Sequence, residues 1–160
     1  MKKYGITKNT FIFFITILFF ALHAQEKKIQ STLLHEMARS GASDDDIRAL
    51  LVKNYAVDSR DEQNRTPLHW AALYGNAKAA QVLCAQKADT NAKDFQGNTP
   101  LHLAVKYNAN FKDRMAVIDE LLLYDANIYV KNNAKYSPIE DAIDNAYKRK
   151  MFKFVESSAE

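Results

Sequence analysis

Histidine recurs at a nearly constant spacing along the chain, which makes it the first candidate for chemistry. His35, His69 and His102 are separated by 34 and 33 residues. Imidazole is a common zinc ligand, but the ring nitrogens must lie about 2.1 Å from one ion. Equivalent helices of neighbouring repeats pack about 8–10 Å apart, so histidines at matching positions form a row and do not converge. The spacing therefore predicts no metal site.

The other groups with reactive or metal-binding chemistry also favour structural interpretations. Cys84 is the only cysteine, and its position beside Val82 and Leu83 predicts a buried, inert thiol. The run 44–46 of three aspartates lacks the alternating spacing and the glycine of a calcium loop, so it fits a first helical turn capped by Ser43. The chain has no Ser-His-Asp ordering and no glycine-rich phosphate loop. We expect no catalytic residues, no cofactor and no enzymatic activity.

The regularly spaced histidines belong to a longer motif that marks helix starts. Thr66-Pro67-Leu68-His69 and Thr99-Pro100-Leu101-His102 are near copies, with a weaker copy at Thr32-Leu33-Leu34-His35 and another at Ser137-Pro138-Ile139. Threonine or serine can accept a hydrogen bond from a first-turn N–H, and proline suits the first helical position. Each copy therefore predicts a helix start. The units they define are residues 31–60, 61–93, 94–131 and 132–160.

A period near 33 residues together with Thr-Pro-Leu-His resembles the ankyrin repeat family, from residue 32 to the C-terminus. The resemblance implies an all-α solenoid of about four helix-turn-helix repeats with short β-hairpin connections. It also implies that the motif histidine supports the turn through hydrogen bonds. The structural motif residues are Thr66, Pro67, His69, Gly75, Gly97, Thr99, Pro100 and His102.

Within this framework several local conformations can be predicted. Gly41 and Gly75 are expected to end helices in the left-handed conformation. Asn64 and Lys87 occupy positions where the family usually has glycine, so both are expected at positive φ, at a cost of about 1 kcal/mol for the lysine. Five extra residues in the third unit are expected to lengthen its interhelical loop near residues 109–114.

The fourth unit departs from the pattern in a way that is typical of a terminal repeat. Ser137 replaces threonine, Glu140 replaces histidine and the turn glycine is missing. Its apolar residues alternate with basic ones near the C-terminus. We expect a capping repeat with one apolar and one solvated face. The apolar stripe is Met151, Phe152, Phe154 and Val155.

Residues 1–24 have the pattern of a signal peptide. Three lysines precede a twelve-residue apolar run, residues 11–22, and a small residue, Ala24, precedes Gln25. Because a membrane span needs about 20 apolar residues, we expect cleavage and an exported domain over residues 25–160. The protein would be periplasmic or secreted, from a bacterium, and free of the membrane after cleavage. The alternative is an adaptor that the uncleaved segment tethers to the membrane.

Charge argues against a nucleic-acid partner. Three of the 22 basic residues lie before residue 24 and none of the 19 acidic residues does, which leaves 19 of each sign in the mature chain. Nucleic-acid binding would require a net basic face. We therefore expect no nucleic-acid binding.

The remaining candidate function is protein binding by a monomer, through the hairpin tips and the inner helices. Aromatic and basic residues at the family's usual contact positions favour this hypothesis. The rings could instead pack on neighbouring hairpins, and binding could serve to neutralise an enzyme or a toxin. The candidate contact residues are Arg60, Glu62, Arg65, Leu73, Tyr74, Lys93, Phe95, Lys106, Tyr107, Lys131 and Tyr136.

Overall fold

The computed structural model describes residues 8–53, 55–106 and 111–142. These residues form helices connected by turns, and no strand occurs among them. The predicted β-hairpins are therefore tight turns, each closed by a backbone hydrogen bond such as Asp61 N–H to Arg65 O at 3.0 Å. The helices are α1 (Lys8–Ser40), α2 (Asp44–Val52), α3 (Pro67–Tyr74), α4 (Ala77–Ala85), α5 (Pro100–Lys106), α6 (Phe111–Leu123) and α7 (Pro138–Asp141).

The helices form two layers. The inner layer contains α1, α3, α5 and α7, each packed on the next, and the outer layer contains α2, α4 and α6 in the same sequence. Within a repeat, the inner helix packs on its outer partner, as α3 does on α4. This is the helical solenoid that the motif spacing predicted, with one narrow core between the layers.

Equivalent apolar residues build that core. Leu34, Leu68 and Leu101 occupy the same position of three successive inner helices, and none is exposed to solvent. Burial of such side chains removes apolar surface from water, which is the main source of stability in a repeat stack. Cys84 is buried in the same core, as predicted, and burial raises the pKa of its thiol to about 12.

The first inner helix differs from its prediction. A helix start was expected at Thr32, but α1 runs without a break from Lys8 to Ser40. Leu33 stands where the other copies have proline, so nothing interrupts the helix, and the Thr32 hydroxyl donates to Lys28 O at 2.9 Å. No helix in the described part of the chain is both long enough and apolar enough to cross a membrane.

The insertion in the third repeat also differs from its prediction. Residues 111–114 were expected in a loop, but α6 begins at Phe111 and is 13 residues long, against 9 for α4. Asp113 lies in the first turn, where an acidic side chain favours helix formation. Arg114 is 1% exposed, so the insertion adds about one helical turn that packs into the stack.

Two positions with unusual residues adopt the backbone conformation that the sequence predicts. Asn64 and Lys87 have φ of 59° and 64°. Gly41 and Gly75 follow α1 and α3 with φ of 77° and 75°. The predictions for Tyr107 and the terminal apolar stripe fall outside the described residues.

Candidate protein-binding surface

The motif histidine of the second repeat joins that repeat to the third. His69 Nδ1 accepts a hydrogen bond from the Thr66 N–H at 3.1 Å and lies 2.8 Å from the Thr66 hydroxyl. Because Nδ1 accepts, Nε2 carries the hydrogen and donates to Asn98 O, 3.0 Å away in the next hairpin. The hydroxyl thus contacts the histidine ring, where the sequence predicted a first-turn N–H as its partner.

The same arrangement recurs in the other repeats. His102 Nδ1 accepts from the Thr99 N–H at 3.0 Å, and its Nε2 lies 3.1 Å from Tyr136 O. His35 Nε2 lies 3.0 Å from Arg65 O. The histidines therefore form a row of links, each from an inner helix to the following hairpin. We call this row the histidine ladder.

Burial keeps two rings of the ladder, His69 and His102, neutral. His69 and His102 are fully inaccessible to solvent. Burial lowers the pKa of His69 to about 4, and it lowers the pKa of His102 as well. Both rings are therefore neutral near pH 7, with one nitrogen free to accept and the other able to donate.

A second set of links runs along the hairpins through basic side chains. Arg60 Nη1 donates to Lys93 O at 3.0 Å, and Lys93 Nζ donates to Lys131 O at 2.9 Å. These three residues precede the turns of successive hairpins. Three of the predicted contact residues thus also hold the hairpins at a fixed distance from one another.

A third set of links lies in the loops that follow the outer helices. Asp58 accepts from the Asp89 N–H at 3.1 Å, and Asn91 Oδ1 accepts from the Asn127 N–H at 2.8 Å. Asp58 and Asn91 are equivalent residues of neighbouring repeats. Partial burial raises the pKa of Asp58, although the hydrogen bond from Asp89 opposes that shift.

Hairpins also contact each other directly through their turns. Asn133 N–H donates to Gln96 O at 3.0 Å, and Asn133 Nδ2 donates to Phe95 O at 3.0 Å. A Cβ at Gly97 would lie 2.6 Å from Asn133 Oδ1 and 2.9 Å from its backbone nitrogen. The close approach of the third and fourth hairpins therefore requires glycine at position 97.

An aromatic cluster with two guanidinium groups lies where α1 and α3 meet on the inner face. The Trp70 and Tyr74 rings are stacked, with centroids 5.7 Å apart and planes 8° from parallel. Arg39 lies over Tyr74 at 5.2 Å and Arg65 over Trp70 at 5.7 Å. Each ring therefore has a cation against it, an arrangement that favours both packing and recognition. Sequence reasoning missed Arg39 because it lies 35 residues before Tyr74, and no local pattern connects the two residues.

A groove runs beside this cluster between α1 and the first hairpin. Its volume is about 460 Å³, and Lys28, Glu36, Glu62 and Trp70 are among the side chains that line it. Trp70 is half-buried and donates its indole N–H to Asp61 at 2.9 Å. Lys28 and Glu62 form an exposed ion pair across the groove at 3.6 Å, which contributes little to stability.

The predicted contact residues fall into three groups by exposure. Among the aromatic residues, Phe95, Tyr136 and Tyr74 are 70%, 56% and 45% exposed. Arg65 and Leu73 are half-buried. The other contact residues that the structure describes are exposed, and they are Arg60, Glu62, Lys93, Lys106 and Lys131.

Within the described residues, the linking positions of the fourth repeat make different contacts from those of the earlier repeats. Glu140 takes the place of histidine and accepts from the Ser137 N–H at 2.7 Å and hydroxyl at 2.6 Å. Lys131 pairs with Glu140 at 3.6 Å. Tyr129 stands where Asp58 and Asn91 stand in earlier repeats, and its side chain is 61% exposed. The described part of the fourth repeat therefore lacks the histidine and the acceptor side chain that link the earlier repeats, and its capping role stays a prediction.

Among the residues that the structure describes, no three His, Cys, Asp or Glu side chains are placed to hold one metal ion. Titratable groups with shifted pKa values, such as His69 and Asp58, form the hydrogen bonds that link neighbouring repeats. The described surface offers aromatic and charged contact area.

Comparison with known proteins agrees with this architecture. A sequence model of ankyrin repeats (three copies) matches residues 34–132, which is more than half of the chain. A Transient receptor potential cation channel subfamily A member 1 homolog from Caenorhabditis elegans is 40% identical over 89 residues, or 56% of this chain. The matched part is 7% of that protein, so the chain spans only a small fraction of its relative's length.

Proposed function

The chain belongs to the ankyrin repeat family, and on that premise we propose that it is an exported module that binds one partner protein on its hairpin tips and concave inner face. Ankyrin repeats are protein–protein interaction modules and are generally non-catalytic. The observation that carries the proposal is the exposure of aromatic rings that the core does not use. Phe95 and Tyr136 are 70% and 56% exposed on adjacent hairpins. Rings of this kind are frequent energetic centres of protein interfaces.

The rigidity of the surface supports the same proposal. The histidine ladder, the basic links and the turn contacts fix each hairpin relative to its neighbours. A surface that is ordered before binding loses little conformational entropy when a partner binds. The aromatic cluster at Trp70 and Tyr74 adds a second patch of contact area beside the groove.

Export is supported by the composition of the N-terminal segment and by its exposure. The side chains of Ile17, Leu18, Phe19 and Phe20 are between 50% and 78% exposed, so the described stack does not use them as core. The N-terminal residue of the protein recovered from cells tests this part of the proposal. Cleavage predicts Gln25 or a near neighbour, whereas an intact N-terminus would contradict export by a cleaved signal peptide.

Affinity capture from the cell envelope and the growth medium tests the binding proposal. The wild-type mature protein is compared with a Tyr74→Ala/Tyr107→Ala double variant, and captured proteins are identified by mass spectrometry. We expect a partner that the wild type retains and the double variant loses, because truncation of central aromatic residues commonly costs more than 2 kcal/mol of binding energy, roughly a thirtyfold loss.

The matched control is Tyr129→Ala, which removes an exposed ring from the loop side of the stack. This variant should retain the partner. Helical circular dichroism and the melting temperature should be nearly unchanged in all variants. Identical protein lists for wild type and double variant would contradict the proposed surface, and so would loss of the fold in the double variant.

A further inference from the structure

The hairpin tips of the last two repeats carry an excess of positive charge. Three exposed lysines lie there, a fourth lies at the end of the inner helix α5, and we call the four, with Phe95 and Tyr136, the basic tip surface. Few acids compensate for them, since Asp94 is only 6% exposed and accepts the Gln96 and Asn98 N–H groups within its own turn. The lysines are Lys93, Lys106, Lys131 and Lys135.

Glu140 is the one exposed acidic residue among residues 93–106 and 131–142, and its carboxylate already has partners. Glu140 accepts from Ser137 and pairs with Lys131. Each Nζ has three donors. Lys93 Nζ uses one of them on Lys131 O, and no hydrogen bond from Lys106 or Lys135 occurs within the described part of the chain.

Several exposed acidic side chains lie on the outer helix α6 and in the loops after the outer helices, where Lys87 and Lys112 are exposed as well. Asp113 and Asp119 are exposed on the outer helix α6, and Asp89 and Asp125 are exposed in the loops after α4 and α6. The chain after residue 24 carries 19 basic and 19 acidic residues. The lysines of the basic tip surface are therefore a local excess of positive charge in a chain whose total charge is balanced, and such an excess attracts an acidic partner.

The geometry of the basic tip surface is fixed. Lys93 Nζ to Lys131 O and Asn133 Nδ2 to Phe95 O tie the two hairpins together at 2.9 and 3.0 Å. The two exposed rings lie within the same tied pair of hairpins as three of the lysines. Fixed positive charges around apolar rings match a segment that alternates carboxylates with apolar or aromatic side chains.

We propose that the basic tip surface recognises an acidic segment of the partner protein, with carboxylates at the four lysines and apolar side chains on Phe95 and Tyr136. This inference rests on the proposed function and adds the chemistry of the partner. A nucleic acid is the weaker match, because the chain after residue 24 has equal numbers of basic and acidic residues and four lysines would neutralise only a few phosphates.

Fluorescence anisotropy with a labelled random copolymer of glutamate and tyrosine tests the proposal. The wild-type mature protein is compared with Lys106→Glu/Lys135→Glu. The matched control, Arg48→Glu/Lys78→Glu, makes the same change in net charge on the outer helices α2 and α4. We expect the tip variant to bind at least about tenfold more weakly, because reversed charges repel the carboxylates. The control should bind like the wild type, and binding should weaken as salt is raised from ~50 to ~300 mM.

Three results would overturn the proposal. Equal weakening in the tip variant and the control would show a response to net charge alone. Tighter binding of heparin or single-stranded DNA than of the copolymer would assign the lysines to another kind of polyanion. Absence of copolymer binding would remove the acidic partner while leaving protein binding intact, since affinity capture with the Tyr74/Tyr107 variant tests that function separately.

Discussion

The inner helices of the second and fourth repeats both begin with a capping box, but the side chain at its third helical position differs. In the second repeat His69 accepts from Thr66 and donates to Asn98 O of the next hairpin. In the fourth repeat Glu140 accepts from Ser137 in the same way, but a carboxylate has no hydrogen to donate onward. The comparison teaches that one side chain can both close a helix start and link its repeat to the next hairpin.

The other links show the same contrast between interior and end. Lys93 reaches the backbone of the next repeat, whereas Lys131 turns to Glu140 of its own repeat. Asn91 accepts an N–H from the next repeat, whereas Tyr129 at the equivalent position is exposed. Neighbouring repeats support one another through these interfaces, so interior changes should cost more than changes at either end.

Replacement of glycine offers the largest test of this contrast. Gly97→Ala should destabilise the protein by about 3 kcal/mol, because its Cβ would meet the Asn133 backbone at 2.9 Å and because φ is 75°. Gly41→Ala, near the N-terminal end of the stack, should cost only about 1 kcal/mol, since its Cβ would meet no atom closer than 4.0 Å. Urea unfolding followed by circular dichroism measures both values.

The two glycines have nearly the same φ, so the difference between them isolates the hairpin contact. Equal losses of stability would mean that the contact between the third and fourth hairpins gives way easily. A melt of Gly97→Ala in two separated steps would contradict the single shared core.

The second-largest expected effect is a loss of stability in acid, because protonation of His69 disfavours the link between the second and third repeats. The folded protein lowers the pKa of His69 from 6.5 to about 4, so it favours the neutral ring. That stabilisation is complete above pH 6.5 and is lost as pH falls toward 4. From the pKa shift we expect a loss of about 2 kcal/mol at pH 5 relative to pH 7. Asp94 partly opposes the shift, while Arg60 and Arg65 reinforce it.

The control is His69→Gln, which keeps an acceptor for the Thr66 N–H and has no titrating group near neutral pH. This variant should be less stable than the wild type at pH 7 and should change less between pH 7 and pH 5. Folding also lowers the pKa values of the Asp61 and Glu140 carboxyl groups, but these groups titrate mainly below the range from pH 5 to pH 7. An equally steep pH dependence in the variant would assign the effect to other groups.

The repeat architecture could be predicted from the sequence because its signals are local. A cap residue, proline at the first helical position and glycine at the helix end act within one turn, so Thr66, Pro67 and Gly75 define α3 without knowledge of the fold. Positive φ at Asn64 and Lys87 followed from their place in the same turns. Burial of Cys84 followed from its apolar neighbours.

The features that could not be predicted depend on contacts distant in sequence. The stacking of Arg39 on Tyr74 joins two repeats, and no local pattern marks it. Thr32 was assigned a helix start by analogy with its copies, but without proline the preceding helix simply continues. Arg114 was assigned to a loop because insertions are usually accommodated in loops, yet the inserted residues extend α6 into the stack. The partner-binding role of the exposed rings stays a prediction.

The smallest expected effect comes from single glutamine substitutions at His102, the last histidine of the ladder, and at Glu140, which takes the place of histidine in the fourth repeat. His102→Gln should lower the melting temperature by several degrees, because Tyr136 O loses its donor across the repeat interface. Glu140→Gln should lower it by only about 1 °C, because glutamine still accepts from the Ser137 N–H and only an exposed ion pair with Lys131 is lost. Scanning calorimetry near pH 7 compares the two. Equal shifts would mean that His102 serves only its own helix start, and the distinction between a linking repeat and a terminal repeat would then lie elsewhere in the stack.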